Sequence, residues 1–185
     1  MDTQTIALQA VTKVIGLETI PSTQDLARDL VRSQEHATLV LACQQTKAFD
    51  RFGHAFPSTE GGVYFTLILK PNREIALEAL THAFQNALTD TLGKVFELKT
   101  KLTADGDVLV WDKTSHKYKK IAGFLAEENE SGNYLIGAGI FVNNKLPATF
   151  KNTCISLKSI LGSETSKELF LDDVLNNFWK EYAFL

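Results

Sequence analysis

Gln45-Thr-Lys-Ala-Phe-Asp-Arg-Phe-Gly-His-Ala-Phe-Pro-Ser-Thr-Glu-Gly-Gly-Val-Tyr-Phe-Thr-Leu-Ile-Leu-Lys-Pro71 is the stretch around which the chain is read. From Gln45 to Gly62 it is polar, basic and aromatic, with Gly53, Pro57, Gly61 and Gly62 as breakers, which predicts a long loop. From Val63 to Leu69 it is a nearly unbroken run of β-formers, which predicts a buried strand. About fifteen residues of loop inside a compact domain are uncommon, and such loops bind something or are disordered. This one carries Lys47, Arg51 and His54 beside Phe49, Phe52 and Phe56. Cations next to flat rings suit a phosphate-bearing ligand with a planar base; the same residues also fit a surface loop whose rings tuck into the core.

The surrounding chain supplies a frame for that loop. Its 185 residues suffice for one domain with a full core. Hydrophobic residues make up 44% and charged residues 22%, ordinary values for a globular protein, and the net charge of -3 does not point to a nucleic-acid surface. Cys43 and Cys154 both sit in apolar runs, which favours reduced thiols over a disulfide. The N-terminus lacks the pattern of a signal peptide, and no apolar run reaches the roughly 20 residues of a membrane span. A cytoplasmic protein with neither a nucleic-acid nor a membrane partner is the simplest expectation.

Periodicity predicts the elements. Residues from Met1 to Lys13 read as a short helix or loose arm. Val14–Ile20 reads as a strand closed by Pro21. Ser22 or Thr23 then caps a helix with Leu26, Ala27, Leu30 and Val31 on its buried stripe. Thr38–Cys43 reads as a strand. Arg73–Leu92 reads as an amphipathic helix, with Ile75, Ala76, Leu80, Phe84 and Leu88 inward and Gly93 as its stop. Val95–Leu98 and Val108–Trp111 read as strands around the polar segment Thr100–Asp107. Tyr118–Glu127 and Tyr134–Val142 read as a hairpin, with Gly123, Gly137 and Gly139 marking close backbone approach. A loop over Asn143–Asn152 leads to short helix Ile155–Leu161. A terminal helix Ser166–Ala183 follows, with Leu169, Val174, Leu175, Phe178 and Tyr182 buried. Strand runs mixed with separate helices give an α+β domain, one mixed sheet with helices against it.

Three groups could carry chemistry. Lys119 and Lys120 lead into an apolar strand, where alternation gives only one of them to the face of the site; edge lysines that discourage aggregation fit equally. Arg51 can grip a phosphate in bidentate fashion. Ser22, Thr23 and Gln45 lie at the ends of adjacent elements and could read a polar head group, or merely cap a helix. His36, His54, His82 and His116 lack metal-ligand spacing, so no protein-held metal is expected. There is no P-loop, nucleophile elbow or dinucleotide fingerprint.

Together these residues resemble the biotin protein ligase family, within the biotin/lipoate ligase superfamily. Ser22-Thr23-Gln24 is similar to the family's Ser-Thr-Asn. Gln45-Thr46 through Gly62-Val-Tyr-Phe-Thr-Leu67 is similar to its Gln-Thr, basic glycine loop and strand. Lys120-Ile-Ala-Gly-Phe-Leu-Ala-Glu127 is similar to its Lys-x-x-Gly-Ile-Leu-x-Glu. Ile136-Gly-Ala-Gly-Ile140 with Val142-Asn143 is similar to its Gly-x-Gly-Ile-Asn-Val, and Cys154–Gly162 fits the short helix beyond.

The resemblance implies a single catalytic domain over residues 1–185. Its fold would be a mixed, mostly antiparallel central sheet flanked by helices, like that of a class II synthetase. It also implies that biotin and ATP, with Mg2+ assisting, give biotinyl-adenylate, and that a lysine of a biotin carboxyl carrier domain then takes the biotin. Lys120 and Arg51 would be catalytic. Ser22, Thr23, Gln24, Gln45, Gly123 and Leu125 would bind biotin. Arg51, Phe56, Lys101, Asp107 and Phe141 would bind the nucleotide, under a loop that is disordered until ligand arrives. Neither the repressor-type DNA-binding domain nor the small C-terminal barrel of relatives is expected, and a homodimer is left open.

The departures fall on the nucleotide side. Ala48-Phe49-Asp50-Arg51 stands for the family's Gly-Arg-Gly-Arg, and Asp50 adds negative charge. His54 and Phe56 stand for arginine and tryptophan, and Phe141 for asparagine. Of Lys-Trp-Pro-Asn-Asp only Asp107 remains, with Lys99 or Lys101 as substitutes for the lysine. A lipoate or octanoate ligase or transferase, and a binding protein without adenylation, are the alternative expectations.

Overall fold

The computed structural model describes residues 11–103 and 106–185. The expected N-terminal helix or arm lies, over residues 1–10, outside the described residues. The elements run β1 (Lys13–Ile20), α1 (Thr23–Leu30), β2 (Thr38–Gln45), β3 (Val63–Leu69), α2 (Leu77–Phe96), β4 (Thr100–Leu102) and β5 (Val108–Asp112). They continue with β6 (Lys117–Glu128), β7 (Tyr134–Ile140), α3 (Leu157–Leu161) and α4 (Lys167–Tyr182). One sheet takes the order β1-β2-β3-β7-β6-β5-β4. Among the described strands only β1 and β2 run parallel, and the other strand pairs are antiparallel. The fold is thus a single α+β domain with a mixed, mostly antiparallel sheet, as expected.

Alternation along the central strands builds two different faces. Val63, Phe65, Leu67 and Leu69 of β3 join Leu39, Leu41 and Ile136 in the main core, under Phe84 of α2 and Phe178 of α4. Those two rings lie 4.5 Å apart. On the other face Ala27 and Val31 of the α1 segment cover only Val40, Ile68 and Leu135. Helix α1 is short, so the rest of that face stays open, and the site lies there.

Several boundaries differ from the periodicity reading. Helix α2 begins at Leu77, after a buried Ile75, and runs through Gly93 to Phe96. It ends at Glu97, which holds the left-handed conformation at φ 54°. The expected strand Val95–Leu98 is therefore partly the last turn of α2: Val95 is exposed, and the Phe96 ring sits 6.0 Å from that of Phe170. The strand forms instead at Thr100–Leu102, inside the segment read as polar loop. Leu169, expected inside, is 69% exposed, while Phe170 and Leu171 are buried in its place. Cys154 is buried and Cys43 half-buried, both as thiols.

Candidate active site

The floor of the open face is made where three strands meet. Tyr64 and Thr66 of β3 pair with Gly139 and Gly137 of β7, which pair in turn with Gly123 and Leu125 of β6. A Cβ on Gly139 would collide with the Phe56 ring, one on Gly137 with Gln24 Oε1, and one on Gly123 would crowd Phe56 and the Lys120 ammonium. The three glycines therefore leave room for side chains laid flat across the sheet, the close approach expected of them.

A polar cluster closes one end. Ser22 caps α1, its Oγ accepting from the Asp25 amide at 3.2 Å. The Thr23 amide and hydroxyl donate to Gln45 Oε1 at 2.8 and 3.1 Å, and Gln45 Nε2 donates to the Ser58 hydroxyl at 3.1 Å. Thr66 Oγ1 lies 3.0 Å from both Thr23 Oγ1 and Gln24 Oε1. Ser22, Thr23, Gln24, Ser58 and Thr66 are buried, and Gln45 is half-buried. Gln24 Nε2 is buried without a hydrogen-bond partner. Gln24 also helps to lower the pKa of the Glu127 carboxylate. Burial pushes Glu127 up, but its bond from Arg28 Nε at 2.7 Å, with the neighbouring charge, outweighs that.

The 45–62 loop is built as a hairpin over this floor. Phe49 and Ala55 form an antiparallel bridge, and the Phe56 amide donates to Ala48 at 2.8 Å. Asp50 organises the tip: its Oδ1 accepts from the Phe52 and His54 amides, each at 2.9 Å. Burial works against the charge of Asp50, but those amides hold its pKa below the usual carboxylate value. The charge introduced at position 50 thus anchors the hairpin. Phe49 and Phe52 are exposed, and the Arg51 guanidinium lies 4.8 Å from the Phe52 ring centre. Lys47 and His54 are exposed as well.

Lys120 approaches from the far side of the floor. Its side chain is 18% exposed, its Nζ is 2.8 Å from Asp107 Oδ1, and it lies 5.4 Å from the Phe56 ring centre. Strict alternation from Gly123 would have given this face to Lys119. A bulge decides otherwise. Val108 pairs with Ala122 while Leu109 pairs with Lys120, so Ile121 is an extra residue in β6. Lys119 is left to pair with Asp112 at 3.0 Å. The Lys120 backbone is gripped on its outer side too, donating to Thr153 at 2.8 Å and accepting from Ile155 at 2.9 Å.

Two cavities meet at Phe56. The central one, about 70 Å³, is lined by Ser22, Thr23, Gln24 and Gln45 at its polar end and by Gly123, Leu125 and Arg51 further along. The second, about 330 Å³, is lined by Lys120, Cys154, Phe141 and His54. Asp50, Phe56 and Asp107 line both. Phe141 is wholly buried and stacks on Phe56 at 5.1 Å and 12°. Lys99 and Lys101 are exposed and line neither cavity, so the structure separates them from the other expected site residues. Burial pushes the Cys154 thiol up, although Thr153 and Lys120 pull the other way. Among the described residues no cluster of three or more His, Cys, Asp or Glu could hold a metal.

A model of the biotin/lipoate A/B protein ligase family matches residues 16–143. The chain belongs to that family. The biotin protein ligase of Aquifex aeolicus, in complex with biotin and ATP, superposes with a TM-score of 0.80 at 26% identity, over 93% of this chain and 71% of that one. The Helicobacter pylori biotin acetyl coenzyme A carboxylase synthetase with bound biotinylated ATP shares the fold, with a TM-score of 0.70 at 18% identity, over 91% and 74% of the two chains. A bipartite lipoate protein ligase from Thermoplasma acidophilum shares it too, with a TM-score of 0.63 at 13% identity over 92% and 84%.

As a biotin/lipoate ligase family member, the chain carries residues that its motifs did not single out. Thr66 was hidden inside an apolar strand, where a lone threonine among six apolar and aromatic neighbours was the available signal. Ser58 supports Gln45 from the loop. Cys154 lines the Lys120 cavity, where sequence placed only a core thiol.

Proposed function

We propose that this protein is a biotin–protein ligase, which uses ATP to make biotinyl-adenylate and passes the biotin to a lysine of a carboxyl carrier domain. The observation that carries the reading is the closed polar end of the central cavity, with Lys120 across the glycine floor. Thr23, Gln24, Gln45 and Thr66 offer hydrogen bonds where the ring system of the acid would lie. A cyclic urea can use them; a hydrocarbon or dithiolane end would leave them desolvated and unmatched. Solved relatives crystallised with biotin and ATP support the same choice.

In this reading the biotin carboxylate oxygen attacks the α-phosphorus of ATP, the bond to the bridging oxygen breaks, and pyrophosphate leaves with the electron pair. The Lys120 ammonium, held by Asp107 and based on a strand, stands where charge gathers on the carboxylate and phosphate oxygens. Arg51 at the hairpin supplies a second cation, and the 45–62 hairpin screens the anhydride from water. Phe56, backed by the buried ring of Phe141, offers a ring face to the adenine. Mg2+ would be held mainly by substrate phosphates and water, as this ion commonly is, with Asp107, which lines both cavities, as one carboxylate available. In the second step the carrier amine attacks the acyl carbon. A C–N bond forms, the C–O bond to phosphate breaks, and AMP leaves.

Biotin-dependent exchange between pyrophosphate and ATP tests this directly. Wild type is expected to catalyse it, and Lys120→Ala to lose on the order of 10²–10³-fold in rate with unchanged folding. Exchange driven by lipoate or octanoate but not by biotin would overturn the choice of acid.

A second reading draws on Cys154, which shares the cavity of Lys120. A thiol there could accept an octanoyl or lipoyl group from a thioester donor, releasing the donor thiol, and yield it to an amine. Burial raises the pKa of this thiol, which weakens it as a nucleophile. Transfer without ATP that disappears in Cys154→Ser would favour this reading.

A further inference from the structure

A third cavity adjoins the other two. It measures about 300 Å³ and runs between α2 and the β4–β5 turn. Leu77, Phe124 and Ala126 give it apolar walls, and Glu78, Thr81 and His82 line its helix side. Arg51, Phe124 and Leu125 belong to both this groove and the central cavity. Its inner end reaches Gly106, next in sequence to the Asp107 that holds Lys120. That end is fixed in place, because the buried Gln85 donates to the Gly106 carbonyl at 2.6 Å. Glu78 and His82 are exposed on the helix.

The acid takes the polar end of the central cavity and the nucleotide takes the Lys120 side. The acceptor amine then needs its own route to the acyl carbon. It must bring a methylene stem, which prefers apolar walls, behind a cationic head, which a carboxylate attracts. The groove offers both, a carboxylate in Glu78 and apolar walls in Leu77, Phe124 and Ala126, with the Arg51 cation where it joins the central cavity. We propose that it admits the acceptor lysine side chain of the carrier protein, with Glu78 drawing in the ammonium and Leu77, Phe124 and Ala126 enclosing the stem. The proposal rests on the ligase reading above. The entering ammonium gives one proton to water before attack and a second as the tetrahedral centre collapses. The new C–N bond replaces the C–O bond, and AMP carries away the electron pair.

Two substitutions on the outer part of α2 test the groove. Thr81→Trp fills it, and Glu78→Gln removes its charge without adding bulk. Each is assayed for biotin-driven pyrophosphate exchange, for biotin transfer to a carrier domain, and for capture of the adenylate by hydroxylamine, which is small enough to bypass a lysine channel. The expected result is normal exchange and normal hydroxylamine capture in both variants. Carrier transfer should fall at least about tenfold in Thr81→Trp, and the carrier KM should rise about threefold in Glu78→Gln at unchanged kcat. Wild-type carrier transfer in either variant with intact exchange overturns the groove and leaves the ligase reading standing. Should Thr81→Trp lose exchange through misfolding, Glu78→Gln decides alone. Absence of exchange in the wild type overturns the ligase reading, and the groove assignment with it.

Discussion

Gly139 shows how a single missing side chain can set the depth of a site. The Phe56 ring lies against its backbone, so a methyl group there must displace the ring, and with it the stack on Phe141. Gly139→Ala is expected to destabilise the fold by about 1–3 kcal/mol through overpacking, read as a lower urea midpoint. Combining it with Phe56→Ala should return most of that loss, because the obstructed ring is then gone. If Gly139→Ala unfolds at the wild-type midpoint, the ring is not confined as described. Asp50 is the opposite case, a charged side chain set at the tip of the hairpin. Two amides bind its carboxylate, so its charge is absorbed by the hairpin and it adds less repulsion toward phosphate than its formal charge implies.

Among the elements, α2 stores a correctable cost at its end. Glu97 carries a Cβ in the left-handed conformation that glycine adopts freely. Glu97→Gly is expected to raise stability by roughly 0.5–1 kcal/mol, seen as an upward shift of the thermal midpoint. The same end shows why some elements were legible in sequence and others were not. Strand β3 was clear because all seven residues are buried, so its apolar run had one meaning. The run Val95–Leu98 had two, since a helix end packed on Phe170 and a strand need the same residues over so short a length. Strand β4 was invisible because it lies at the sheet edge with Lys101 and Leu102 exposed, and no periodicity marks it. The site residues were read through motif likeness and turn chemistry; Ser22, Thr23 and Gln45 meet at the polar end of the central cavity, and Lys120 lines the adjoining one. The hairpin's inner contacts and the bulge at Ile121 depend on pairings between distant strands, which no local pattern carries.

At the scale of the molecule, the open face is kept open by how little covers it. Helix α1 spans Thr23–Leu30 and is tied across to β6 by the ion pair of Arg28 with Glu127. This leaves the glycine floor to the hairpin and to ligand. Ligands that bridge the two cavities at Phe56 should stabilise the whole fold, because they bind only where α1, β3, β6, β7 and the hairpin are all in place. Biotin with ATP is expected to raise the melting temperature more than the sum of either alone. An adenylate present at 100 times its Kd would add about 2.7 kcal/mol. Strictly additive shifts would mean that no joined product forms between the two compartments. No described helix is long and apolar enough to cross a membrane.

The extra residue in β6 has a consequence for how this protein can vary. Everything before Ile121 on that strand is turned over relative to everything after it. Excising Ile121 alone would straighten the ladder and leave both lysines where they are, because Lys120 would then follow Ala122 in plain alternation onto the side of Gly123. Drawing the strand straight with Ile121 retained would instead swap the two: Lys119 would be delivered to the ligand side and Lys120 turned to the opposite face. Such a straightened strand would still present a lysine at the right height, yet one whose tether, carboxylate partner and outer clamp all belonged to its sibling.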